Sequence, residues 1–435
     1  MQQVRLIGAA CLWMVTACAV RSQSLDEQIQ SKLDAIRKEG YPVTMAELEQ
    51  WYPQVKPENN AADLYKAAFS SFPPRDEKLR ERIPVDGWVK LPPRTERLPP
   101  EMMQACFTYL TAHRQTLTLL RQAATKSECR YPWVMVNGIP TPFPPVRACA
   151  RLLSLETIVL AEQGLTSTAV ESVQTSAAVS RSLANEPGVI PSLVHNACVW
   201  IMISSVERLL NRTQVSEEEL KRLANVVAVA DDREAVIRIL VSDRCEIISK
   251  PREYAKGMWV AISAHDKTSS PMPEYSNEHY IIFLTFIEEC IAASKLPLPK
   301  SLQEILKAEA KLKKSLPAVN VWRKAAEMTI AWALRDARAS ATARAAQAGI
   351  AVERYRLANG KLPEKLDELV PRFLTAVPTD PFDGQPIRYR KLARGFVTYS
   401  ISDEDDPSMV GKDDGGAEKG GVCLPGTDIA FTVER

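Results

Sequence analysis

The sequence predicts a mainly α protein. An irregular helical array over residues 24–316 is followed by a small α+β region over 317–435, with a long helix and a short antiparallel sheet. Three observations carry this reading. Apolar residues recur at helical spacing through most of residues 24–314, punctuated by capping residues, glycines and prolines. An alanine-rich run from Val321 to Asn359-Gly360 is long enough for one helix of about ten turns. Beyond Pro386 the period switches from helical to alternating.

Length and composition set outer limits. A chain of 435 residues suits two or three domains, and 46% hydrophobic with 25% charged residues is ordinary for a globular protein. The net charge of +2 supplies no long-range field for nucleic acid, and no basic run with interleaved aromatics replaces it.

Residues 1–23 read as a signal peptide. Arg5 precedes the apolar run of residues 6–20, and polar RSQSLDEQ follows. The run is too short to span a bilayer comfortably, and the basic–apolar–polar order is what export machinery reads. Val15-Thr16-Ala17-Cys18 resembles the lipobox of bacterial lipoproteins, where the cysteine is acylated and becomes the mature N-terminus. Plain secretion, with cleavage after Ala19 or Ser22, is the other reading. In either case the chain is expected outside the cytoplasm: in the periplasm, held to the membrane by lipid at Cys18, or secreted.

Cys106, Cys129, Cys149, Cys198, Cys245, Cys290 and Cys423 form no CxxC pair, so neither a zinc knuckle nor a thioredoxin-type site is expected. Cys149, Cys198, Cys245 and Cys290 lie in apolar helical stretches and read as small buried hydrophobes. Export leaves room for one bridge, Cys106–Cys129.

The helices follow in order. Ser24 caps a first helix with an Ile29, Leu33, Ile36 stripe, stopped by Gly40 and Pro42. Residues 44–52 and 60–72 are two more. Seven prolines in residues 73–100 forbid a long helix and predict an extended surface connection. Residues 101–125 return to helix, and 126–145 form a second proline-rich loop. Residues 146–164 and 165–185 pair as a hairpin broken at Gly164, with Leu165, Ala169, Val173 and Ala177 along one side. Helices over 189–210 and 216–230 follow, the second opened by the capping-box pattern Ser216-Glu217-Glu218-Glu219. Segments 231–250, 278–294 and 302–314 continue the array. The layout resembles tetratricopeptide-like hairpins, but no fixed period or repeat signature is present. Asn359-Gly360 and Pro363 end the long helix. A short helix over 364–370 and the turn VPTDPFDGQP lead to IRYRKL and FVTYSI, a hairpin around Ala393-Arg394-Gly395, and TDIAFTVER adds a strand.

The order of motifs from Ala351 onward resembles the soluble domain of the major pseudopilin of type II secretion systems. Ala351, Tyr355, Leu357, Asn359, Gly360 and Pro363 match that family's helix end, and Leu366, Leu369 and Val370 match its next short helix. Pro378, Asp380, Pro381, Phe382, Gly384, Pro386 and Tyr389 match its turn. Tyr399, Ser400, Asp403 and Asp405 follow loosely, and Gly415-Gly416 with Asp428-Ile429 match its end. The resemblance covers residues 345–435, about a fifth of the chain. The remainder is similar to uncharacterised helical bacterial envelope proteins bearing the same tail. The family's leader and apolar anchor helix are missing: charges at Arg323, Lys324, Glu327, Arg335, Asp336, Arg338 and Arg344 bar residues 322–345 from a bilayer. A filament subunit is therefore not expected.

In that family the loop between the last strands binds calcium. The resemblance implies a calcium site here from Asp403, Asp405, Asp406, Asp413, Asp414 and Asp428, oxygen ligands of the kind calcium prefers. Residues 407–411 are an insertion relative to the family, and the spacing is not that of an EF-hand. The competing reading is a solvated acidic turn.

No catalytic residue is assigned. His113, His195, His265 and His279 are scattered, and no H-E-x-x-H, G-x-S-x-G or phosphate-cradling glycine loop is present. Glu156 with Glu162, and Glu288 with Glu289, are the carboxylate pairs available for acid–base work, with charged helix faces as the simpler explanation. Trp51, Tyr52, Trp88, Trp133 and Phe143 sit in or beside the proline-rich loops, either as a binding surface or as pins for those loops. The resulting expectation is an exported, lipid-anchored envelope protein that binds a protein partner or serves a structural role, calcium-stabilised and linked to a secretion system. The alternative is a periplasmic hydrolase using carboxylates of the helical region.

Overall fold

The computed structural model describes residues 24–132, 134–136, 139–141, 143–231, 234–266, 272, 275–401 and 429–435. Ser24 opens the first helix as its sequence context requires. Its hydroxyl accepts from the Glu27 amide, and the Glu27 carboxylate accepts from the Ser24 amide at 2.8 Å. The helices α1 (Leu25–Lys38) and α2 (Met45–Trp51) that follow lie against later parts of the chain.

Next come α3 (Ala62–Ser70), α4 (Glu77–Arg80), α5 (Pro100–Ala112) and α6 (Arg114–Ala124). The hairpin β1 (Val134–Val136) and β2 (Ile139–Thr141) then leads into α7 (Phe143–Glu162). α3, α5 and α6 close a first core with α7 around Tyr65, Cys106, Leu120, Leu152 and Leu155. α8 (Thr166–Arg181), α9 (Val189–Arg212) and α10 (Glu217–Val229) build a central core. By length and composition α9 is apolar enough to cross a membrane. Here it is a core helix carrying buried Arg208 and Asn211 near its end. A third core joins α11 (Glu234–Ser249), α12 (Pro251–Asp266), α13 (Asn277–Ser294) and α14 (Lys300–Ser315).

The long helix α15 (Val321–Asn359) belongs to two cores. Val321, Trp322, Ala325, Ala326 and Ile330 fill the third, while the chain from Ala343 to Val352 fills the central one. Packing therefore runs across residue 317. At a rise of about 1.5 Å per residue α15 is about 58 Å long. Asn320 caps its start, accepting from the Trp322 amide at 2.9 Å, and Gly360 ends it at φ 69°.

Alanines along the second half of α15 let other elements approach closely. The sheet β3 (Arg388–Leu392), β4 (Gly395–Ser400) and β5 (Ile429–Glu434) is antiparallel throughout, in that spatial order. β3 and β4 join through Ala393-Arg394, with Leu392 opposite Gly395. Phe396, Phe431 and Val433 pack on α15, and a Cβ at Gly349 would stand 2.4 Å from Phe431 Cδ1. Asn211 of α9 binds the outer edge of β5. Its amide donates to the Thr432 carbonyl at 2.8 Å and its oxygen accepts from the Glu434 amide at 2.7 Å.

Several expectations need correction. Residues 101–125 are two helices, because the chain bends at His113. There the Tyr109 carbonyl is shared by the His113 amide and His113 Nδ1. The 73–100 connection holds the short helix α4 and buries Ile83 and Leu98. Part of the 126–145 loop is the β1–β2 hairpin. α12 was not expected; Pro251 stands at its first position, where a missing amide costs nothing. The short helix over 364–370 is a 3-10 turn, Leu366–Leu369. Leu165 is exposed although Ala169, Val173 and Ala177 are buried. Cys106 and Cys129 are free, each buried in the first core, where burial pushes both thiols up to about 12.

Candidate functional site

The residues expected to hold calcium, Asp403, Asp405, Asp406, Asp413, Asp414 and Asp428, lie outside the described residues, as do Cys18, Cys423 and Trp133. β4 ends and β5 begins side by side, with Ser400 paired to Ile429. Ser400 and Ile429, close to the two points where segment 402–428 leaves and rejoins the described chain, thus lie together at one end of the sheet.

Asp380 fastens that end. The turn that carries it closes with the Asp380 amide donating to the Gln385 carbonyl at 2.7 Å and the Gly384 amide to the Asp380 carbonyl at 2.9 Å. The side chain is fully buried. It accepts from the Phe382 amide at 3.0 Å, the Ser400 hydroxyl at 2.9 Å and the Ile401 amide at 2.9 Å. Arg388 of β3 pairs with it and with Asp383. Burial alone would raise Asp383, but Arg388 and the Gln385 amide hold its carboxyl below the usual range. Asp380 is saturated with donors and positions the root of the acidic segment. Among the described residues no group of three or more His, Cys, Asp or Glu side chains is set to hold a metal ion.

The carboxylates considered for acid–base work each have a partner. Glu156 accepts from Ser172 at 2.6 Å and from Arg121 at 2.7 Å. Glu162 pairs with Arg208 at 3.2 Å and Arg212 at 3.0 Å. Glu288 pairs with the buried Arg244 at 2.6 Å, and Glu289 with Lys311. His195 is buried, with Nδ1 at 2.9 Å from the Ser180 carbonyl. Of the loop aromatics, Tyr52 is buried and Trp51 packs on Tyr41 and Tyr52, whereas Trp88 is 62% exposed.

Two concavities stand out. An apolar cleft between α9, α11, α14 and α15 is lined by Leu193, Ile239, Leu240, Ile305, Trp332 and the buried Asp336. Its volume of about 20 Å³ is room for about one water. A more open, polar depression of about 300 Å³ lies at Glu49, Asn60, Asp63, Lys66 and Arg130. Its charges are engaged: Arg130 pairs with Glu49 at 2.6 Å, and Lys66 with Asp63 at 3.5 Å.

Comparison with protein-family models, curated proteins and solved structures finds no match. Sequence reasoning placed Asp380 in a turn but missed its role as a hub. It also missed Arg208, whose guanidinium donates to the carbonyls of Pro92 at 2.9 Å, Pro93 at 3.0 Å and Glu96 at 2.7 Å. A single arginine among apolar helical neighbours, as in SSVERLL, was the available signal.

Proposed function

We propose that this chain is an exported, lipid-anchored envelope protein that acts as a protein-binding or structural module. Its helical array, with tetratricopeptide-like pairing of α7 with α8, carries the partner surface. Its tail is pseudopilin-like, binds calcium through Asp403, Asp405, Asp406, Asp413, Asp414 and Asp428, and links the protein to a secretion system. One observation carries the calcium reading. Asp380 and the Ser400–Ile429 pairing hold Ile401 and Ile429, the described residues that flank a strongly acidic segment, at one place. Seven carboxylates between residues 403 and 418, with Lys412 as the single basic residue, repel one another unless a cation joins them.

The test uses the full mature chain. Calcium at about one hundred times its Kd raises the melting temperature by about 3 °C, and chelation reverses the rise. Asp405→Asn with Asp413→Asn abolishes the response. No shift at millimolar calcium refutes the metal site. Mass spectrometry of the mature N-terminus finds diacylated Cys18; an unmodified terminus at Val20 or Gln23 refutes the anchor. Cross-linking in the native envelope recovers a secretion-system protein, and a clean recovery without one refutes that link.

A further inference from the structure

Two arginines one turn apart on α7, Arg147 and Arg151, face an incomplete set of counter-charges among the described residues. Arg147 is half-buried and forms no ion pair or side-chain hydrogen bond among the described residues, and its Nε is buried without a partner. Arg151 has one acidic neighbour, Asp86, at 4.0 Å. Burial and the charge of Arg147 lower the affinity of the Arg151 guanidinium for its proton. Burial raises the Cys198 thiol of α9, and the charges of both arginines work against that rise. Arg80 approaches the same place but is occupied, by Glu77 at 3.2 Å and by the Asp86 carbonyl at 2.9 Å.

The single carboxylate is itself shared. Asp86 accepts from the Tyr109 hydroxyl at 2.5 Å. It sits in a turn that leaves it little freedom. Val85 has φ 68°, a conformation a β-branched residue adopts only under strain. A Cβ on Gly87 would meet the Arg80 and Ile83 carbonyl oxygens at 2.2 Å. Strain of this kind clusters where a side chain must be held for a ligand. Beside the cluster the exposed Trp88 covers Arg80 at 5.9 Å.

Among the described residues two guanidiniums face one carboxylate, which leaves one positive charge uncompensated in a partly desolvated site. Guanidiniums one helical turn apart repel each other, and an oxyanion between them removes the repulsion while satisfying their planar donors. We propose that Arg147 and Arg151, with Asp86 held beside them by the Val85 turn and Tyr109, form a binding site for a small oxyanion, a carboxylate or a phosphate group. Asp86 adds selectivity between the two, since it can accept from the protonated oxygen of a hydrogen phosphate, which a carboxylate lacks.

The test is thermal unfolding of the full mature chain at matched ionic strength in chloride, inorganic phosphate or succinate. At about ten times its Kd the cognate anion raises the melting temperature by about 2 °C over chloride. A rise in phosphate alone assigns a tetrahedral ligand, and a rise in succinate alone a carboxylate. Arg147→Gln and Arg151→Gln lose the rise. Arg147→Gln in chloride melts no lower than the parent, because it removes a repulsive charge. The proposal is overturned if neither anion acts at tens of millimolar or if the variants respond like the parent. A much lower melting temperature of Arg147→Gln in chloride overturns it too, since it would show a structural role.

Discussion

Removing the Asp380 carboxylate tests whether this end of the sheet depends on one side chain. Asp380→Ala leaves the Phe382 and Ile401 amides without their acceptor and leaves Arg388 with Asp383 alone, while the Ser400 hydroxyl keeps the Ile401 carbonyl at 3.1 Å. A buried donor left unpaired costs about 1–3 kcal/mol, and two of them set an upper range of about 6 kcal/mol. Water reaching this end recovers part of this, so the expected loss is about 3–5 kcal/mol. With an unfolding entropy of about 2.1 cal/mol/K per residue over 435 residues, the melting temperature falls by about 3–5 °C. Asp380→Asn keeps one acceptor oxygen and the shape, and loses about half as much. Differential scanning calorimetry measures both. A fall of less than about 1 °C for Asp380→Ala refutes the hub, because surface substitutions reach that size.

Three further outcomes follow from buried contacts. Gly349→Ala should destabilise by about 1–2 kcal/mol although alanine favours helices by about 1 kcal/mol, since its methyl group would overlap Phe431; chemical denaturation reads the sign. Burial and the neighbouring Glu246 push Asp243 up to about 7. A carboxyl that keeps its proton in the fold is most favourable at low pH, and its contribution is lost as pH rises from about 4 through about 7. Asp243→Asn should remove that loss and exceed the parent by about 2–4 kcal/mol at pH 8, and parallel stability–pH curves would contradict it. Arg208→Met should free the 92–96 segment from its three carbonyl contacts, costing about 2–4 kcal/mol and speeding tryptic cleavage at Arg94 and Arg97.

Local chemistry was legible where it is local. Ser24, Ser216 and Gly360 cap helices as their contexts demand, and the turn at Ala393-Arg394 sets the strand register. The bend at His113 was hidden, because it depends on a ring competing for a carbonyl already used by the backbone. The change in composition near residue 317 was visible, but the packing of α15 into two cores was not. Periodicity shows that a helix has an apolar face without showing what covers it. The Asp380 hub joins a turn, a strand and a strand exit, so its partners lie 8, 20 and 21 residues away along the chain. The acidic composition of 403–418 was plain, whereas its ligand set rests on resemblance.

The bond between Asn211 and Thr432 spans 221 residues of sequence. At a synthesis rate of about 5–20 residues per second, α9 waits roughly 10–45 s before β5 exists to complete its edge. For that interval a 24-residue apolar helix has its nearest helical neighbours but lacks the sheet. The central core therefore cannot close during translation of α9 and α10. Its cooperative folding is delayed until the distant strand arrives, which makes α9 the segment on which holding chaperones should act first.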